Sequence, residues 1–154
     1  MNTFKEYIEI ASGFLTPVIA ITTALIAYRQ YKIQRYRVRL DLYDRRMKIY
    51  EALMHFLSIV RQKGDAPIDE IYTLTRDTSQ AKFLFKGEIE KHIGSIFKRA
   101  VELESVNEQL SDQYMPVGPE RTALAKQMTE HFKWLRDQYD KTDSLFIKYL
   151  KLDS

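Results

Sequence analysis

Apolar and polar positions divide the chain into stretches of different period. Ile10–Tyr28 reads "IASGFLTPVIAITTALIAY", nineteen consecutive positions without a charge. The next stretch, "RYRVRLDLYDRR" over 35–46, begins with the alternation of a half-buried strand: Tyr36, Val38, Leu40 and Leu42 share one face until Tyr43 breaks the register. A helical template runs further. Ile33, Tyr36, Leu40, Tyr43, Met47, Tyr50, Met54 and Leu57 follow each other at spacings of three and four, and Leu42, Ile49, Leu53, Phe56 and Val60 widen that seam. Since neither Gly nor Pro occurs between Pro17 and Gly64, the pattern predicts one helix from the uncharged run to about Gln62.

The remaining chain keeps the helical period. "RQKGDAP" breaks it at Gly64, with Asp65 as a candidate cap and Pro67 in the next first turn. A short helix is expected over Ile68–Arg76, with "DTSQ" as turn and cap. A long helix is expected from about Ala81 to Leu110, with Phe85, Ile89, Ile93, Ile96, Ala100, Leu103 and Leu110 on its apolar side and Gly87 as an irregularity near its start. After the turn "SDQYMPVGPE" a last helix begins near Glu120, lined by Leu124, Met128, Phe132, Leu135, Tyr139, Phe146 and Leu150. The expected fold is all-α: three long helices plus one short one in an up-down bundle.

Length decides what the uncharged run can be. Nineteen residues approach the ~20 needed to cross a ~30 Å hydrocarbon core. Its eight strongly apolar side chains favour insertion by about 4 kcal/mol at best, eroded by Ser, Gly, Pro and three Thr. A signal peptide would want a basic start and a small-residue cleavage site, whereas Lys5 stands with Glu6 and Glu9 and the run ends in "YRQYKIQRYR". A surface-lying helix would carry charges along one face, and a buried core helix of this length is the remaining competitor to spanning. The expected domains are therefore an external N-terminus (1–9), a transmembrane helix (10–28) and a cytosolic helical bundle (29–154).

Charge sets the orientation. The net +3 resolves into −1 over residues 1–28, +6 over 29–48 and −2 over the rest. Arg29, Lys32, Arg35, Arg37 and Arg39 follow the run closely, against Lys5 alone before it, which puts the C-terminal side in the cytoplasm. These five cations are the candidate membrane-interface residues, each worth ~1 kcal/mol against anionic headgroups when near the surface. Because the basicity is confined to one block, nucleic acid is not an expected partner. Within the span, Ser12, Thr16, Ala20 and Ala24 form a ladder of small residues at every fourth position, a candidate face for association of transmembrane helices into a homo-oligomer.

"LDLYDRRMKIYEALMHFL", "AKFLFKGEIEKHIGSIFKRAVEL" and "HFKWLRDQYDKTDSLFIKYLKL" together resemble a group of small bacterial single-pass membrane proteins with a helical cytosolic domain. The resemblance implies a bacterial origin and a membrane anchor, and it supplies no catalytic residue.

Few residues invite chemistry. The absence of cysteine excludes disulfides and thiolate sites. His55, His92 and His131 lie in three separate segments without metal-ligand spacing, and no arginine precedes any of them at the four-to-six spacing of helical ribonuclease domains. Glu88 and His92 read as a local i,i+4 pair, His131 as a half-buried packing residue, Trp134 as packing, and Glu102, Glu104 and Glu108 as a solvated face. Asp41, Asp44, Arg45 and Arg46 read as ion pairs across helices or protomers. No nucleotide or hydrolase fingerprint occurs. No catalytic residue, metal or cofactor is expected. The residues point to a non-enzymatic membrane-anchored interaction or assembly protein, with an oligomeric pore-type effector as the alternative.

Overall fold

The computed structural model describes residues 3–112, 114 and 116–151, and for 3–14 and 16 the backbone alone. All regular structure among them is helical: α1 (Thr3–Lys63), α2 (Ile68–Thr78), α3 (Ala81–Leu84), α4 (Gly87–Ser111) and α5 (Pro119–Phe146). The helical period thus prevails over the strand-like alternation of 35–46, which lies wholly inside α1. The chain divides into two units, Met1–Asp41 and Leu42–Ser154.

Within the second unit the α1 part and α4 both run against α5. Tyr50 meets Asp143 and Arg46 meets Tyr149, so the α1 part of this unit and α5 run antiparallel. His92 meets Thr142 and Arg99 meets His131, which sets α4 antiparallel to α5 as well. One core joins Leu53, Phe56 and Val60 of α1, Ile71 and Leu74 of α2, Ile89, Ile96, Ala100 and Leu103 of α4, and Leu135 and Phe146 of α5. The expected bundle of three long helices and one short one is therefore present, with a single extra turn, α3.

Local chemistry explains most boundaries. α1 stops at Gly64, whose φ of 72° is the left-handed conformation that glycine adopts without strain, and its N–H donates to the Val60 carbonyl at 2.9 Å. Asp65 does not cap α2 as expected. Its Oδ1 accepts from the neighbouring Ala66 N–H, and Pro67 takes the N-cap position, its carbonyl accepting from Glu70 and Ile71. α2 continues two residues past Arg76, to Thr78, whose hydroxyl donates back to the Leu74 carbonyl.

Two expectations are corrected. The continuous helix over 81–110 is broken at Phe85, which is extended (φ −126°, ψ 162°). The break turns its ring onto Phe146 and Tyr149, at centroid distances of 5.1 and 5.4 Å. Gly87, expected as an irregularity inside the helix, instead opens α4.

In α1 the expected seam is buried unevenly. Its buried positions are Ile49, Leu53, Phe56, Leu57 and Val60, while Tyr43, Met47, Tyr50 and Met54 are only half-buried and Ile33 and Tyr36 are exposed. All five belong to the expected seam, four of them to the side that widens it, so burial concentrates on that side.

Candidate functional site

The five expected interface cations are all exposed on α1. Helical geometry sorts them. Lys32, Arg35 and Arg39 share one stripe with Tyr28, Tyr31 and Tyr36, and the Lys32 ammonium lies 5.3 Å from the Tyr28 ring centroid. Arg29 and Arg37 fall off that stripe. The stripe offers rings and cations side by side, the pairing that suits a boundary between hydrocarbon and charged headgroups.

Upstream, Leu15, Val18, Ile19, Ile21, Leu25 and Ile26 are each more than half exposed among the described residues. Thr22 and Thr23 donate their hydroxyls to the Val18 and Ile19 carbonyls one turn back, which satisfies them without water. In the small-residue ladder Ala20 and Ala24 are exposed. The side chains of Ser12 and Thr16 lie outside the described residues, as do those of residues 10, 11, 13 and 14 in the expected span. Among the described residues, no helix is long and apolar enough to cross a membrane.

In the bundle the structure assembles polar groups that sequence spacing kept apart. Arg46 donates from Nε to the Leu84 carbonyl at 3.0 Å and from Nη1 to the Tyr149 carbonyl at 3.3 Å. Its guanidinium also lies 5.7 and 5.9 Å from the Phe85 and Tyr149 ring centroids. It was expected in an ion-pair cluster; it serves carbonyls that helix ends leave open. Tyr50 donates to Asp143 Oδ1 at 2.8 Å, and burial together with that carboxylate pushes the phenol up to about 12.

Glu88 and His92 do not form the expected pair with each other. Glu88 binds Lys148, while His92 Nε2 lies 2.8 Å from the Thr142 hydroxyl, which is fully buried. Burial, aided by Lys141 and opposed by Glu88, holds the His92 imidazole below the ordinary histidine range. Stability should therefore be lost on acidification. Below about pH 6.5 the unfolded chain takes up a proton that the folded one refuses, until the folded pKa is passed. Urea unfolding followed from pH 7.5 down to about 5 should show this slope in the native chain and a flatter one in His92→Gln.

A second polar cluster joins α4 to α5. Arg99 Nη1 lies 2.9 Å from His131 Nδ1, Glu102 Oε2 lies 3.3 Å from the same nitrogen, and the Arg99 guanidinium stands 5.5 Å from the Trp134 ring centroid. The His131 side chain is 14% exposed. Glu102, expected as merely solvated, thus stands beside His131 and lies 3.9 Å from Arg99. Glu104 is not simply solvated either: burial, Asp65 and Glu108 together raise its carboxyl. The available signal for the Arg99 cluster was a pair of matching intervals, Arg99/Glu102 and His131/Trp134, each three residues apart. They become informative only once α4 and α5 are known to be antiparallel neighbours.

The bundle also carries two depressions. A groove of about 540 Å³ between α1 and α2 is floored by Ala52, Phe56 and Leu74 and rimmed by Glu51, Glu70 and Asp77. A smaller one of about 210 Å³ lies between α2 and α4, at Gly94 and Phe97. Among the described residues no group of three or more His, Asp or Glu is placed to hold a metal ion. No family model, curated protein or solved structure matches the chain.

Proposed function

We propose that the protein is a single-pass protein of the bacterial inner membrane, a non-enzymatic anchor whose cytosolic bundle mediates assembly or partner binding. Residues 10–28 cross the bilayer, residues 1–9 lie outside, and residues 29–154 lie in the cytoplasm. The resemblance to small bacterial single-pass proteins belongs to the same reading. One observation carries it: six large apolar side chains between Leu15 and Ile26 stand more than half exposed in a charge-free stretch of helix. Left in water they would form an aggregation-prone surface, whereas lipid covers them without a protein partner. Two further features support it. The threonine hydroxyls are already satisfied by the helix, and the Tyr28–Arg39 stripe suits the inner headgroup layer.

The pore-type alternative gains nothing from Thr22 and Thr23, whose hydroxyls are turned to backbone carbonyls. Oligomerisation through Ala20 and Ala24 stays within the proposal, and cysteines at those two positions should crosslink in native membranes. For partner binding, the bundle offers the notch at Gly94 with Phe97 and Val101 exposed beside it.

The decisive test is retention. Full-length protein should stay with membranes washed in alkaline carbonate. Ile21→Arg, which adds about 3 kcal/mol to an insertion favoured by about 4 at best, should shift much of it to the supernatant. Release of the native chain by carbonate would overturn the reading.

A further inference from the structure

His131 Nδ1 has two neighbours that make opposite demands on it. To accept a hydrogen bond from the Arg99 guanidinium at 2.9 Å, the nitrogen must offer its lone pair. To donate to the Glu102 carboxylate at 3.3 Å, the same nitrogen must carry a proton. One ring nitrogen cannot do both. With Nδ1 unprotonated, Arg99 is bound and Glu102 faces a lone pair. In the imidazolium, Glu102 is bound and Arg99 faces a positive ring.

We propose that protonation of His131 exchanges its partner across the α4–α5 contact, from Arg99 to Glu102, and that this exchange makes the contact responsive to pH. The charged groups that face the ring are Arg99 and Glu102 of α4, with Lys98 behind them, 4.0 Å from Glu102. On α5 itself the near neighbour is Trp134, whose ring centroid lies 5.5 Å from the Arg99 guanidinium. The release is local and has a built-in reporter, because Trp134 is the only tryptophan in the chain. The consequence is a partly exposed cation that one proton releases from the imidazole, with Glu102 still 3.9 Å away. Arg99 is 39% exposed, and once it leaves the imidazole it can meet an anionic group outside the chain. This inference stands whether or not residues 10–28 cross a bilayer.

The test uses the full chain in detergent micelles between pH 5 and 8, the span in which histidines titrate. The His131 ring is followed by the NMR shift of its Cε1–H, assigned by its loss in His131→Asn. Trp134 emission should change with the same midpoint and lose that transition in His131→Asn, while His55→Asn and His92→Gln retain it. The sign of two further variants separates an exchange of partners from simple packing. Glu102→Gln should lower the His131 midpoint and Arg99→Met should raise it, since one removes a negative and the other a positive neighbour of the ring. Circular dichroism at each pH shows that the helices persist. Shifts in the same direction, midpoints that do not move, or a Trp134 transition that survives His131→Asn would overturn the proposal.

Discussion

Phe146→Ala should destabilise the bundle by about 3–5 kcal/mol, a large part of the ~5–15 kcal/mol typical of a folded domain. Phe146 is fully buried at the end of α5, with Tyr50 of α1 at 5.4 Å and Phe85 at 5.1 Å between ring centroids. Its removal leaves a cavity where α1, α5 and the break before α4 converge, and the rings around it are held by their own hydrogen bonds and backbone. Phe146→Leu should cost about 1–3 kcal/mol, since it refills much of the space but loses both ring pairs, each worth ~0.5–1.5 kcal/mol. Urea midpoints at constant slope measure both. A loss below 1 kcal/mol in the alanine variant would show that the site collapses freely.

Arg46→Ala should cost about 2–3 kcal/mol. Two hydrogen bonds from a charged donor disappear and two carbonyls are left without that partner, along with two cation–ring contacts. Arg46→Lys should recover less than half of this. A single ammonium cannot reach the Leu84 and Tyr149 carbonyls from one position while keeping both ring contacts. Equal stability of the lysine variant and the native chain would mean that charge alone matters at this position. Native-state hydrogen exchange gives a second measure: the Tyr149 and Leu150 amides, which bond to the Phe146 carbonyl, should lose protection first.

The helices themselves were legible because the period of three and four persists through every segment, and because Gly64 and Pro119 stand where helices end or begin. Which side of the α1 seam lies deepest was not. Tyr43, Met47, Tyr50 and Met54 fit the spacing as well as Ile49, Leu53, Phe56 and Val60 do. Only the second set is free of polar ends that must find partners, and it is the one that is buried. The break at Phe85 has no local cause in "KFLFKG"; the contact of its ring with Phe146, sixty-one residues away, accompanies it. Arg46 was grouped with its sequence neighbours because an arginine beside aspartates suggests ion pairs, and the open carbonyls that it meets are created only by folding. The Arg99–His131 cluster needed the antiparallel pairing of α4 and α5 before its members could be seen as one group.

The bonds from Tyr50 to Asp143 and from Arg46 to Tyr149 span 93 and 103 residues. During synthesis α1 therefore emerges long before the partners that cover its apolar side. Until α5 has left the ribosome, Leu53, Phe56 and Val60 face an incomplete core, and this interval is when the nascent chain depends most on chaperones. Slowing translation near Asp143 should lengthen that vulnerable period, whereas slowing it before Tyr50 should not.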